Sequence, residues 1–408
     1  MASNFANNGL NLGIDTADFL TRYWQKRPKL MRQALRNFAS PMNANDLAGL
    51  ACVEGSLARI VQGTGKRFTV ASGPFSHAHF ASLGATNWTL LVQEVDQWDQ
   101  RVRELLKHFD FLPRWRIEDV MVSYAVRGGS VGAHVDQYDV FLLQGRGQRR
   151  WQIDDRLLAK TAARQRFLPK ATLKLLADFA PNRDWVLSPG DMLYLPPGVP
   201  HHGVALDDDC MTFSIGLRAP SATELIENFA RTQAQLLSEN LRYSDPMLKS
   251  HQTHSVKLDH ESVARVRSTL ETAFQLSDAQ LGAWFANFMS AYRAPALATT
   301  DKSVNKHPAI GSLGNSELRT RAKLNDRLVA GARLTLAPGM RVIEWQGALY
   351  IGGQKFSCEA RMRGLLGAFT VNIDAEIWHR SDASEQALIL KLKRAGALIF
   401  ERRAAFHL

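Results

Sequence analysis

Cysteine is scarce: the 408 residues hold three, Cys52, Cys210 and Cys358. They are too far apart for a paired-bridge framework or a zinc knuckle, which points to a reducing compartment. Long apolar runs are absent as well, none approaching the roughly 20 residues that span a bilayer, so no membrane association is expected. The opening MASNFANNGLNLGIDTADFL has no basic start followed by an apolar stretch, so no secretory leader is expected and a cytoplasmic location is. Internal repeats and low-complexity tracts are missing. Acidic residues are outnumbered, 39 against 50 Lys+Arg, for a net charge of +11. Residues 301–408 alone hold 17 basic and 10 acidic side chains, so +7 of the +11 lies in the last quarter of the chain. Such an excess attracts polyanions and favours a nucleic-acid-rich neighbourhood for that part. What is present, 45% hydrophobic and 22% charged residues, describes an ordinary globular protein long enough for two or three domains.

Helical pieces are read over 16–50, the first in TADFLTRYWQKRP, which puts Phe19, Leu20, Tyr23 and Trp24 on one face and stops at Pro28. Strands follow over about 57–80, and then a helix over NWTLLVQEVDQWDQRVRELLKHF, in which Leu90, Leu91, Val95, Trp98, Val102, Leu105 and Leu106 recur at helical intervals. Between about 115 and 219 the chain breaks into short branched and aromatic runs separated by Gly and Pro, the pattern of a sandwich or barrel. After Pro220, SATELIENFARTQAQLLSENL opens with a capping box, Ser221 and Glu224, and carries the apolar stripe Leu225, Ile226, Phe229, Leu236, Leu237. Two more helices are read in SVARVRSTLETAFQL and AQLGAWFANFMSAYR. Residues 294–315 are the best linker, and the remainder mixes short strands with the helical EQALILKLKRAGAL, a small α+β module.

The informative stretch is Gly128-GSVGA-His134-Val-Asp136, with His201 following in SPGDMLYLPPGVPHHGV. On an extended strand His134 and Asp136 point to one face and can share an ion. Gly190, then Pro196-Pro197-Gly198-Val-Pro-His201, matches the second cupin motif. Two His and one carboxylate form a facial triad that leaves positions on a metal open for co-substrate and dioxygen. Asp136 stands where many metal cupins place a second His, and no Glu follows within ten residues. That favours Fe(II) with 2-oxoglutarate over a zinc or manganese isomerase.

A buried cation must then receive the distal carboxylate of 2-oxoglutarate. Alternation in Gln148-Arg-Arg-Trp-Gln-Ile153 groups Arg149 with Trp151 and Ile153 facing inward, while Arg150 and Gln152 face out. A planar guanidinium holds a carboxylate with two charge-assisted hydrogen bonds. Ser123, in VMVSYAV, can add a hydroxyl. His202 faces away from His201 and reads as a bystander. Tyr138 shares the facing of His134 and Asp136 and is a candidate for the substrate pocket; Asp139 lies on the opposite face from Asp136 and is either structural or a candidate at the pocket rim.

The runs GAHVDQYDVFLLQGRGQRRW, PGDMLYLPPGVPHHGVAL and FSIGLRAPSATELI and the N-terminal FLTRYWQKRP resemble the bacterial JmjC-type ribosomal oxygenases, closely over about residues 10–250. The resemblance implies a JmjC double-stranded β-helix over 1–219, a helical dimerisation domain over 220–300 and a winged-helix-like domain over 301–408. It implies hydroxylation of an arginine at C3, the β-carbon, in the large-subunit ribosomal protein L-sixteen. His134, Asp136 and His201 fall on the family's iron ligands, and Arg149 and Ser123 on its 2-oxoglutarate contacts. The implied partners are a ribosomal protein substrate, a second copy of the chain and, through the basic C-terminal part, ribosomal RNA. Two other readings stay open on the residues alone: hydroxylation of a His, an Asn or a tRNA base, and a non-catalytic metal cupin that only binds ribosomes.

Overall fold

The computed structural model describes residues 12–156, 166–168, 173–217, 219–246, 256, 258–292, 315–368 and 370–401. They divide into two units, Met1–Ala219 and Pro220–Glu401. Residues 294–314 of the expected linker lie outside the described residues, as does the basic stretch after Glu401.

The first unit is built on eleven strands: β1 (Lys29–Met31), β2 (Leu57–Thr64), β3 (Arg67–Ser72), β4 (Trp88–Gln93), β5 (Ile117–Ala125), β6 (Asp139–Arg146), β7 (Arg149–Ile153), β8 (Arg183–Leu187), β9 (Met192–Leu195), β10 (His201–Ala205) and β11 (Cys210–Leu217). Eight make one antiparallel sheet in the order β1-β9-β6-β11-β5-β4-β2-β3, and three make a second, β10-β7-β8. Side chains alternate along each strand, and both faces of the large sheet are used. Val140, Leu142, Leu193 and Leu195 pack against Trp151, Ile153 and Leu187 of the small sheet. Phe141 and Tyr194, one step along, turn to the other face and meet Phe19 and Phe109. The two sheets thus enclose an interior, in a cupin-type double-stranded β-helix, and the N-terminal segments cover the outer face of the larger one.

The helix expected over 87–109 is divided. Trp88–Gln93 is β4, paired with both β2 and β5. Thr89, Leu90, Leu91 and Val92 are all buried, so the alternation that marks a half-exposed strand is missing and the apolar positions fall on a helical period by coincidence. Helical turns resume only at α4 (Val95–Trp98) and α5 (Gln100–Glu104), after α1 (Thr16–Arg22), α2 (Ala44–Ala51) and α3 (His77–Ala81). Helix α1 also ends before Pro28, capped at Tyr23. Its Leu20 is 37% exposed while Phe19 is fully buried, so Leu20 does not share the buried face.

The second unit holds α6 (Ala222–Ala234), α7 (His260–Ala273), α8 (Asp278–Ala291), α9 (Asn315–Val329), β12 (Leu334–Leu336), β13 (Val342–Trp345), β14 (Ala348–Ile351), β15 (Gln354–Ser357), α10 (Ala360–Leu366), α11 (Ala375–Arg380), α12 (Ala383–Arg394) and β16 (Leu398–Phe400). Ser221 and Glu224 form the expected capping box at α6. The core gathers Leu324, Leu349, Phe356, Met362, Trp378, Ile389 and Leu392. Helix α8 packs through Ala286 against Ala348 and Tyr350 of β14, so one of the helices read over 220–300 shares packing with the α+β module. The expected stripe of α6 divides: Leu225 and Phe229 are half-buried, Phe229 packing on Phe274 and Trp284, while Ile226 is 67% exposed, as Val266 and Leu270 of α7 are exposed.

Candidate metal and co-substrate site

His134 and His201 are joined by an isolated antiparallel bridge, each amide donating to the other's carbonyl at 3.0 Å. Residues 135–138 are irregular rather than the expected extended strand, so pleat alternation is not what aligns Asp136. The turn before β10 does that. The Gly198 N–H donates to the Asp136 carbonyl at 2.8 Å, with Gly198 at φ +85°, where a side chain would be strained. Each imidazole is oriented by its own backbone: His134 Nδ1 lies 3.0 Å from the Gly132 carbonyl and His201 Nδ1 2.9 Å from that of Val199. A carbonyl only accepts, so both Nδ1 atoms carry the proton and both Nε2 lone pairs are free. Those Nε2 atoms lie 3.9 and 3.6 Å from Asp136 Oδ2, and the three ligand atoms fall within 4.8 Å of one another. Burial, helped by neighbouring His134, pushes His201 down to about 4, which keeps it neutral, the form that binds a metal. Two imidazoles and one carboxylate fit a first-row divalent ion with positions left open, as in Fe(II) oxygenases.

Strand β7 alternates as expected. Arg149, Trp151 and Ile153 are buried while Arg150 is exposed and ion-paired to Asp184. Arg149 is 4% exposed, yet its Nε and Nη2, both buried, have no hydrogen-bond partner. An unpaired buried guanidinium edge is costly in an isolated protein. Two parallel N–H groups on a fixed fork are also what a carboxylate takes. The donor set therefore fits a dicarboxylate chelated at the His–Asp–His group.

Comparison with known proteins agrees with this geometry. A JmjC domain model matches residues 104–225, and an AraC-like ligand binding domain model matches 180–303. The chain is 34% identical over 395 residues to the ribosomal protein uL16 3-hydroxylase of Escherichia coli, covering 96% of this chain and 99% of that one. It is 40% identical over 215 residues to a probable ribosomal oxygenase of Haemophilus influenzae, about half of each chain. The structure of the E. coli ribosomal oxygenase YcfD in complex with cobalt and 2-oxoglutarate matches with a TM-score of 0.76 at 33% identity, over 96% of this chain and 99% of that chain. The chain belongs to the JmjC-type ribosomal oxygenases. It is a 2-oxoglutarate-dependent Fe(II) dioxygenase.

The register places the remaining candidates in the enzyme. Ser214 of β11 is paired both with Leu142, which packs toward the small sheet, and with Met121 of β5. Paired residues share a face, so Met121, and with it Asp119 and Ser123, look into the interior. Ser123 is buried, with a long 3.5 Å contact from its hydroxyl to the Thr212 carbonyl, in one row with Thr212 and Gln144. Tyr138 is half-buried and packs at the edge of the interior cluster. His202 turns away from the three ligands, its Nε2 3.0 Å from Ser130 Oγ.

Of the two readings of Asp139, structural or at the pocket rim, the surroundings favour the structural one and correct the other. Asp139 is fully buried on the same side of β6 as Phe141. Its Oδ1 accepts from Tyr194 at 2.6 Å, and its Oδ2 from Gln25 at 2.9 Å and Arg116 at 3.1 Å. Burial pushes its carboxyl up against those three donors. Asp139 ties the start of β6 to the N-terminal segment and cannot meet a substrate.

Sequence reasoning passed over Asp119. It is half-buried and accepts the Glu94 N–H on Oδ2 at 3.0 Å. Its Oδ1 faces Gly216, where an added Cβ would lie 3.2 Å away. Burial, with the nearby charges of Asp96, Glu118 and Glu94, pushes it up to about 7. The signal was available, because Asp119 has the parity of Ser123 in IEDVMVSYA.

Proposed function

We propose that this enzyme hydroxylates an arginine at C3 in the large-subunit ribosomal protein uL16. Its E. coli relative is named for acting on that protein. In this reading His134, Asp136 and His201 hold the Fe(II), Arg149 and Ser123 receive the distal carboxylate of 2-oxoglutarate, and Tyr138 and Asp119 line the entry for the substrate side chain. With 2-oxoglutarate and dioxygen, the bound metal supplies oxidation of an unactivated C–H bond, with succinate and CO2 as the other products. The chain's own work is positional. Backbone carbonyls hold both imidazoles with Nε2 forward, Arg149 fixes the far end of the co-substrate, and the apolar wall of Trp151, Ile153 and Leu193 excludes water. Asp119 offers a carboxylate to the guanidinium, which keeps the arginine from swinging while its β-carbon is presented to the metal. The buried, unpaired fork of Arg149 on the barrel interior carries the reading. Intact-mass analysis of ribosomal proteins from cells with and without the gene tests it: uL16 should lose the mass of one oxygen atom in the deletion, and an unchanged uL16 refutes the target.

Three further readings go with it. The exposed Ile226, Val266 and Leu270 support a homodimer, in which a second copy covers the apolar faces of α6 and α7. The basic last turn of α12, Lys391, Lys393 and Arg394, supports a ribosomal RNA contact of the winged-helix-like part. A cytoplasmic site of action agrees with a ribosomal target, and among the described residues no helix is long and apolar enough to cross a membrane.

A further inference from the structure

Arg149 is not alone in the interior in having polar atoms with nothing to bind: Trp151 Nε1 and the hydroxyl of Thr89 share that state. Thr89 of β4 is 1% exposed, and its buried hydroxyl has no hydrogen-bond partner, although protein interiors leave few such groups unsatisfied. Thr89 pairs with Ala125 of β5 and shares its face. Ala125 packs against Ala205 of β10, and Ala205 pairs with Arg149. Two alanines, small side chains, thus link the strand of Thr89 to the strand of Arg149 through the register. Ser123 lies two residues before Ala125 on the same face. The register therefore places the unpaired hydroxyl, the unpaired Arg149 fork and the weakly bonded Ser123 toward the same end of the enclosure, where Ala125 and Ala205 are the small residues between them.

We propose that Thr89 is a further co-substrate contact: its hydroxyl donates to the distal carboxylate that Arg149 receives, and so helps to select a dicarboxylic over a monocarboxylic oxo acid. The inference rests on the reading of Arg149 as the anchor of that carboxylate. A threonine kept only for packing would be replaced by valine without effect on the ligand, since the two have the same shape. If its hydroxyl serves the co-substrate, valine removes an unsatisfied group from the free protein and a hydrogen bond from the loaded one, so stability and affinity move in opposite directions.

The test uses full-length protein loaded with Mn(II), titrated calorimetrically with 2-oxoglutarate and with 2-oxobutanoate, alongside melting curves of the metal-free protein. Thr89→Val should weaken 2-oxoglutarate binding about tenfold, leave 2-oxobutanoate binding unchanged, and melt no lower than wild type. Thr89→Ser should bind 2-oxoglutarate as wild type does. Wild-type affinity in Thr89→Val, or an equal loss for both oxo acids with a lower melting temperature, would overturn the inference. Unchanged 2-oxoglutarate affinity in Arg149→Ala would instead overturn the reading beneath it.

Discussion

Replacing Arg149 by Ala tests the proposed co-substrate anchor apart from the rest of the barrel. In the free protein the side chain is 4% exposed with two buried donors unpaired, so its removal relieves a desolvated charge and leaves a small void. The two effects oppose, and the fold should survive. In the loaded protein a buried carboxylate loses its charge-assisted partner, at a cost of about 2–5 kcal/mol. That corresponds to a rise in the 2-oxoglutarate dissociation constant of about 30-fold at the least. Arg150 is the control. It is one residue away, half-exposed and paired with Asp184, and such surface pairs contribute about 1 kcal/mol or less. Arg150→Ala should leave co-substrate affinity unchanged. Calorimetric titration of Mn(II)-loaded protein gives the affinity, and succinate release with a uL16 peptide gives the turnover. Saturating 2-oxoglutarate should partly restore turnover in Arg149→Ala, whose metal ligands are intact. Equal effects at 149 and 150, or no effect at 149, would show that the fork does not hold the co-substrate.

Loss of any one of His134, Asp136 and His201 to Ala should abolish succinate formation and lower metal affinity in calorimetry; His202→Ala should remain active, and near wild-type turnover in His134→Ala would refute the triad. Val266→Asp with Leu270→Asp should shift the protein to monomer in sedimentation at micromolar concentration, and a monomeric wild type would remove the dimer. Binding of a ribosomal RNA fragment should weaken steeply as salt rises, and Lys391→Glu with Lys393→Glu should flatten that slope by about 0.7–0.9 per lost phosphate contact; an unchanged slope would clear α12 of any part in it.

The chemistry of this chain was more legible than its connectivity. His134, Asp136 and His201 could be named from spacing because the cupin turn at Pro196–Gly198 is local, and Arg149 because a five-residue strand with one buried face alternates cleanly. Asp136 is aligned by a hydrogen bond from Gly198, across 62 positions of sequence, which no periodicity reports. Strand β4 misled because it is buried on both faces and its register comes from β2 and β5, not from its own residues. Asp139 was left open between a structural place and the pocket rim for a related reason. Its parity was read correctly, but the far side of β6 is a packed aromatic layer with Tyr194 and Gln25 rather than a rim. Thr89 and Asp119 gain their meaning only once β5 is paired with its neighbours.

Asp119 carries the last prediction, because its titration should be visible in the reaction. Its carboxyl is pushed up to about 7 by burial and by the like charges of Asp96, Glu118 and Glu94. Asp96, which accepts the Val120 N–H at 2.8 Å, is itself pushed up to about 6, with Arg103 as the nearby opposing charge. Below about pH 7 the free enzyme therefore holds Asp119 protonated, and a guanidinium cannot pair with it until the proton leaves. If Asp119 receives the guanidinium as proposed, an arginine peptide binds the ionised form, so kcat/KM should rise with pH toward 7 and level off above it. Asp119→Asn has no proton to lose. Its plateau should fall by about 30-fold, the equivalent of a hydrogen bond to a charged group at about 2 kcal/mol, and the rise near neutrality should disappear. The 2-oxoglutarate dissociation constant should stay as in wild type, since Asp119 lies four residues along β5 from Ser123 and two rows from the co-substrate end. Replacing the target arginine by citrulline, equal in shape but uncharged, should cost wild type about as much as the mutation does and cost Asp119→Asn little more. An Asp119→Asn enzyme that keeps both the inflection and the preference for arginine would place the guanidinium elsewhere.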